Sequence, residues 1–166
     1  MKKSNKNIEG VDDALDFKVV LEAFRVIGFE ESDQMDLFRV LASILHLGNM
    51  KSTADKEDQA EINDTSVAEK ICHLLGVPVK DFVQGLIKPS VKAGREWVVQ
   101  SRTVEQVSYS LESLAKAIYE RMFGKLIEKI NLALYTSKSN SNFIGVLDIA
   151  GFEIFEVRFP PFFFKN

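Results

Sequence analysis

Asp148-Ile149-Ala150-Gly151 follows the apolar run Phe143 to Leu147, and Glu153 stands two residues further on. An aspartate, then a glycine three residues later, at the end of a buried strand is a phosphate-sensing spacing. An aspartate at a strand end can hold a water of Mg²⁺, and a glycine three residues on, with no side chain to stand it off, lets its backbone N–H approach a γ-phosphate; Asp148 and Gly151 have that spacing. Glu153 closes such a site by pairing with an arginine from another loop. D-x-x-G by itself is common by chance, and the plain reading is a strand-end turn with a solvated aspartate. The companion loop that cradles a β-phosphate, G-x-x-x-x-G-K-[ST], occurs nowhere in the sequence, and Gly124, Gly145 and Gly151 are isolated. The sequence therefore holds at most part of a nucleotide site.

A second cluster lies between Pro89 and Arg102. Val91, Trp97, Val98 and Val99 flank Lys92-Ala93-Gly94-Arg95, which reads as a β-hairpin or a stiff extended loop whose charge points it outward. Lys88, Lys92, Arg95 and Arg102 fit either an ordinary solvated hairpin or a basic contact surface. Trp97 fits either the anchor of a small core or part of a partner surface. Cys72, the single cysteine, excludes an internal disulfide and suits a reducing compartment. With His46 and His73 it makes no metal-ligand spacing, and Cys72 and His73 read as neighbours on a helix.

The elements that must position these residues are mostly helical. Asp13 to Ile27 carries Leu15, Val19, Phe24 and Ile27 at helical spacing, with acidic residues at its start and Gly28 as its stop. A second helix opens near Ser32 or Asp33 and closes at Gly48-Asn49, residues tolerant of left-handed backbone. Its apolar residues cover more than one stripe, so it is expected to be buried on several sides. Lys51 to Asn63 is polar, without period, and reads as a loop. Ser66-x-x-Glu69 is a capping box for a third helix that runs to Leu75 and stops at Gly76; a short fourth helix spans Lys80 to Ile87.

Thr103-x-x-Gln106 caps the longest helix, whose apolar positions recur from Val107 to Leu134, with Glu112 and Lys116 as an i,i+4 pair. About 45–50 Å of helix exceeds the width of a domain this size, which predicts a larger body for it to lie across. After the polar stretch Ser137 to Asn142, Phe143 to Leu147 reads as a strand buried on both faces, without sheet neighbours in this sequence.

Composition sets the outer limits. The 166 residues are 46% hydrophobic and 27% charged, as in a soluble globular domain. A net charge of -3 gives no reason to expect nucleic acid as a partner. No apolar run approaches the roughly 18–20 residues of a membrane span, and MKKSNKNIEG lacks the apolar stretch of a signal peptide.

"FIGVLDIAGFEIFE", Phe143 to Glu156, resembles the switch II segment of a myosin motor domain. The resemblance extends backward in order. "LASILHLGNM" is similar to a helix of the upper 50-kDa region, "KPSVKAGREWVVQSRTVEQV" to the cardiomyopathy loop, and "SLAKAIYERMFGKLIEKIN" to the long helix before the switch II strand. It spans roughly residues 9–157 and points to conventional class II myosins, of fungal type.

What this implies is a mixed α/β, predominantly α fold. It would be part of a P-loop NTPase-like motor, with long helices, one β-hairpin or loop, and one strand of a central sheet that lies elsewhere. Residues 1–157 form the partial motor domain and 158–166 a tail outside the family. By resemblance Asp148 stands near the Mg²⁺ water shell, Gly151 reports the γ-phosphate, and Glu153 pairs with a switch I arginine not found in this sequence. Ser90, Lys92, Arg95 and Glu96 belong to the actin-facing loop. Glu96 lies 16 residues before Glu112, where the family places an acidic or phosphorylatable residue facing actin, so no phosphorylation is needed there. Ser90 departs from the arginine many relatives carry after the proline, which removes one actin-facing charge.

The function implied is that of an actin-based, Mg-ATP-driven motor in the cytoplasmic actin cytoskeleton, partnered by actin filaments and the rest of the motor. Without a phosphate-binding loop and switch I, this chain is expected to be catalytically inactive and to bind nucleotide negligibly. The alternatives are a non-enzymatic actin-binding fragment and a non-functional product of a mis-spliced or wrongly delimited gene. For the latter, Val157-Arg158 can be encoded in the form of a splice donor, and the Phe and Pro codons that follow can be pyrimidine-rich. Residues 158–166 are accordingly expected to be translated intron, which transcript sequencing decides.

Overall fold

A computed structural model of the chain describes residues 10–135 and Gly145. The order of elements is α1 (Asp13–Val26), α2 (Glu31–Leu47), β1 (Thr53–Ala54), β2 (Ala60–Glu61), α3 (Ser66–Leu75), α4 (Val79–Ile87), β3 (Ser90–Ala93), β4 (Glu96–Val99) and α5 (Val104–Leu134). The mostly helical expectation holds for the described residues, together with two small antiparallel sheets, β1–β2 and β3–β4.

Local chemistry explains most boundaries. Asp12 caps α1, its carboxylate accepting from the N–H groups of Ala14 and Leu15 at 3.0 and 3.1 Å. Gly28 leaves that helix with φ 75°. Phe24 then packs on Phe29 and Phe38, with ring centroids 5.0 and 6.2 Å apart, and so docks α1 on α2. Leu15 and Val19, apolar at helical spacing in the sequence, stay exposed. At α5 the capping box forms as read: Thr103 Oγ1 accepts from Gln106 N, and Gln106 Oε1 accepts from Thr103 N.

Four readings need correction. The α2 helix ends without left-handed geometry, since Gly48 has φ -68°. The box Ser66-x-x-Glu69 does not cap α3. Asp64 Oδ1 takes the Ser66 N–H at 2.9 Å instead, and the Thr65 hydroxyl donates to Glu69. The pair Glu112–Lys116 is not among the ion pairs of the described residues. The stretch read as a loop contains a two-residue ladder, Thr53 opposite Glu61 and Ala54 opposite Ala60. It is closed by Asp55, whose Oδ1 accepts from both Glu57 N and Gln59 N at 2.8 Å, while Asp58 adopts φ 61°.

The core gathers Leu47, Ala60, Ile71, Leu86, Val107 and Leu111, so five elements contribute to one cluster. Two small, fully buried residues, Ser43 on α2 and Ala68 on α3, belong to the helix pair that packs most extensively. The Ser43 hydroxyl is satisfied by the Val40 carbonyl at 2.7 Å. Cys72, on α3, is buried as well, and burial pushes its thiol pKa up.

Only the first turns of α5 reach this core. Tyr119, Phe123, Ile127, Leu132 and Leu134 are exposed along the rest of its 31 residues. Far down that helix, Lys129 is held by the Asp33 carboxylate and lies over the Phe29 ring at 4.6 Å. The Asp33 carboxylate also accepts the Glu30 N–H in the first turn of α2.

The hydrogen bond from Lys129, above all, holds the Asp33 carboxyl below its ordinary value of 3.8. A depressed carboxylate pKa contributes stability above the unfolded value, and that contribution is lost as pH falls through the folded one. With both side chains more than a third exposed, the contribution is small. Asp33→Asn, which keeps the backbone acceptor, should therefore lower the urea midpoint slightly at pH 6 and not at pH 2. A gap between the two proteins that widens on acidification contradicts this.

Candidate functional site

The hairpin is built from its turn outward. Gly94 takes φ 64° and Arg95 does not have positive φ, the pattern of a two-residue turn with glycine at its first central position. That turn fixes the register: Ala93 opposite Glu96, Lys92 opposite Trp97, Val91 opposite Val98, Ser90 opposite Val99. Of the two sequence readings, hairpin or extended loop, it is the hairpin that forms.

Every residue of both strands is exposed. Trp97 is 70% exposed, which excludes the small-core anchor. Ser90, Lys92, Arg95 and Glu96 are thus brought together on one projecting element, and none of the ion pairs among the described residues engages them.

The base of the hairpin, by contrast, is tied in. Gln100 N donates to the Pro89 carbonyl at 3.0 Å and Arg102 N to the Ile87 carbonyl at 2.9 Å. The Arg102 carbonyl accepts from Ala60 N at 2.7 Å. The Arg102 guanidinium, half-buried, donates to the Ser110 hydroxyl, which itself donates to the Gln106 carbonyl. Arg102 is therefore a strut between the hairpin base and α5. Only Lys88, Lys92 and Arg95 supply cations to the projecting part, against the single carboxylate of Glu96. No signal in the sequence separated Arg102 from the other three; its partner Ser110 lies one helical turn beyond Gln106, the residue that closes the capping box with Thr103.

The other predicted residues, Asp148, Gly151 and Glu153, lie outside the described residues, as does the strand read at Phe143 to Leu147. Among the described residues no group of three or more His, Cys, Asp or Glu is gathered to hold a metal ion. No helix among them is long and apolar enough to cross a membrane.

Residues 1–161 match the profile of the myosin head (motor domain) family. The chain belongs to that family. It is 49% identical over 156 residues to myosin type-2 heavy chain 1 of Schizosaccharomyces pombe, an alignment covering 94% of this chain and 10% of the relative. To myosin type-2 heavy chain 2 of the same yeast it is 46% identical, over 93% of this chain and 7% of the relative. Identity to the non-muscle myosin heavy chain of Drosophila melanogaster is 41%, over 91% of this chain and 7% of the relative. These type-2 relatives bear out the class II resemblance, the fungal one included. The chain spans about a tenth or less of the length of these relatives. As a myosin head segment, it holds its hairpin on a packed helical body and its long helix, α5, mostly uncovered.

Proposed function

We propose that this chain is a segment of an actin-based, ATP-driven motor of P-loop NTPase-like architecture, in which the hairpin is the cardiomyopathy-type loop that meets the actin filament. The observation that carries this reading is the hairpin itself, fully exposed along both strands and rigidly based in the core. Family membership supports it. The loop's excess of cations suits actin's acidic surface and steers the encounter in a salt-dependent way. The setting is the cytoplasmic actin cytoskeleton, with the rest of the motor as the second partner.

Within the intact motor Asp148, Gly151 and Glu153 form the switch II nucleotide sensor. Mg-ATP supplies the phosphoryl group whose loss drives the motor. Asp148 would hold its metal through water, Gly151 would offer an N–H to the γ-phosphate, and Glu153 would fix an arginine from another segment. No phosphate-binding loop accompanies them in this sequence, so the chain by itself turns over no ATP and binds no nucleotide tightly.

Co-sedimentation with filamentous actin tests the reading. The chain should bind weakly, because one short hairpin buries far less than a standard interface of about 1,600 Å². Binding should weaken further between about 50 and 200 mM salt. Lys92→Glu with Arg95→Glu should abolish what remains. Tight binding indifferent to salt and to charge reversal contradicts the loop assignment. In the same preparation, actin-stimulated ATP turnover that is lost on Asp148→Ala contradicts the catalytic part.

A further inference from the structure

Where α2 ends and the chain turns toward β1, a cleft of about 250 Å³ opens against α5. Leu47 and Leu111, both buried in the core cluster, lie deepest in it, and Ile44, Met50 and Ala115 line its sides. Glu112, exposed, is the only charged side chain that lines it. The helical period of α5 explains this mixture. Leu111 and Ala115, at i and i+4, stack on one face, while Glu112 lies about 100° round the helix from Leu111, at the edge of that face.

The Glu112 carboxylate is uncommitted. It belongs to none of the ion pairs among the described residues, and Lys116, one turn further along α5, does not close on it. Lys51 lines a neighbouring hollow together with Asp64, not this one.

We propose that this cleft receives a lysine or arginine side chain from a partner polypeptide, its aliphatic stem against Leu47, Met50 and Ala115 and its charged head on Glu112. Charge selects the head: a lone carboxylate at the opening attracts one positive charge and repels an anion. The walls select the stem, since a run of methylenes gains by leaving water against apolar side chains. Basic side chains combine the two, with an apolar body and a charged tip. The Ser108 hydroxyl, which also lines the cleft, offers a further acceptor to an N–H of that head.

Volume selects a side chain over a free ligand. The cleft is smaller than the roughly 300–1,000 Å³ of pockets that enclose small molecules. It suits one long side chain whose backbone stays outside. No residue of β3 or β4 lines it, so the inference stands apart from the actin-facing role proposed above.

The test uses the whole 166-residue chain, carrying ¹³C at its methionine methyl groups, at low salt. Met50 reports from the cleft, and Met35 and Met122, which do not line it, serve as controls. The probe is N-acetyl-lysine methylamide, a lysine residue with both backbone ends blocked. N-acetyl-norleucine methylamide keeps a comparable stem and lacks the charge. The lysine probe should shift the Met50 signal saturably and bind about threefold more tightly than the norleucine probe. Glu112→Gln should bring the two probes level. Far-UV dichroism should not change, because Glu112 is exposed and in no ion pair among the described residues. Ala115→Leu, which fills the cleft, should abolish both responses while the Met35 and Met122 signals stay in place.

Equal affinity of the two probes for the parent chain overturns the proposal. So does a preference for lysine that survives Glu112→Gln, where folding is not in question. A Met50 signal that never saturates, or that moves no more than those of Met35 and Met122, overturns it as well.

Discussion

Ile71→Ala is expected to remove most of the stability of the packed helical body. Ile71 is fully buried at the centre of α3, and its cluster draws on α2, β2, α4 and α5 through Leu47, Ala60, Leu86, Val107 and Leu111. Truncating such a side chain costs about 2–5 kcal/mol, the transfer term plus the cavity left behind. A domain of this size has about 5–15 kcal/mol in total. The site has little freedom to collapse, because its neighbours are held in turn: Ala60 N is bonded to the Arg102 carbonyl, and Val107 N to the Thr103 carbonyl.

Denaturant midpoints should show the large loss for Ile71→Ala and only about 0.5–1.5 kcal/mol for Ile71→Val, which keeps the branched shape. Since β2 and the first turn of α5 frame the hairpin base, the same substitution should also reduce the actin binding proposed for the hairpin, although Ile71 is no part of either of its strands. A midpoint for Ile71→Ala close to that of the parent chain would mean that this cluster is not what holds the elements together.

Most of the fold was legible because its signals are local. Asp12 with Gly28, the Thr103–Gln106 box, Gly76 at φ 69° and the Gly94 turn each act within a few residues of chain. What could not be read depends on distance or on brevity. The strands β1 and β2 are two residues each, too short for an alternation to register, and they form because an Asp55 side chain organises the turn between them. The Ser66–Glu69 box fit the pattern, yet Asp64 and Thr65, just upstream, took both contacts first. The Lys129–Asp33 pair joins residues 96 apart in sequence, which no spacing rule anticipates.

The candidate site divides along the same line. A glycine turn between two short apolar-basic runs marks the hairpin, so Ser90, Lys92, Arg95 and Glu96 were found together. Which side each occupies required the register, and the departure of Arg102 to Ser110 required tertiary structure. The D-x-x-G spacing at Asp148 needed a long, specific match beside it before it pointed anywhere, because its chemistry is completed by groups this sequence does not contain.

Deleting residues 143–166 is expected to raise the soluble fraction several-fold while leaving the helical far-UV signal and the cooperative melt of the remaining chain in place. The segment concentrates aggregation-prone sequence. Phe143 to Leu147 is apolar without interruption, and Phe159, Phe162, Phe163 and Phe164 crowd into six residues with only Lys165 as a charged residue after them. Pro160 and Pro161 oppose strand pairing in the second stretch but not in the first. The core identified among the described residues, from Leu47 to Leu111, lies before the deleted segment.

Intermediate variants apportion the effect. Replacing Phe162, Phe163 and Phe164 with serine isolates the tail, and Val146→Lys with Ile144→Lys isolates the apolar run. Soluble fraction after lysis, followed by a thermal melt of the soluble material, reads both. If the shortened chain loses its helical signal, residues 143–166 contribute to the packed body in a way that the Leu47–Leu111 cluster does not account for, and the separation fails.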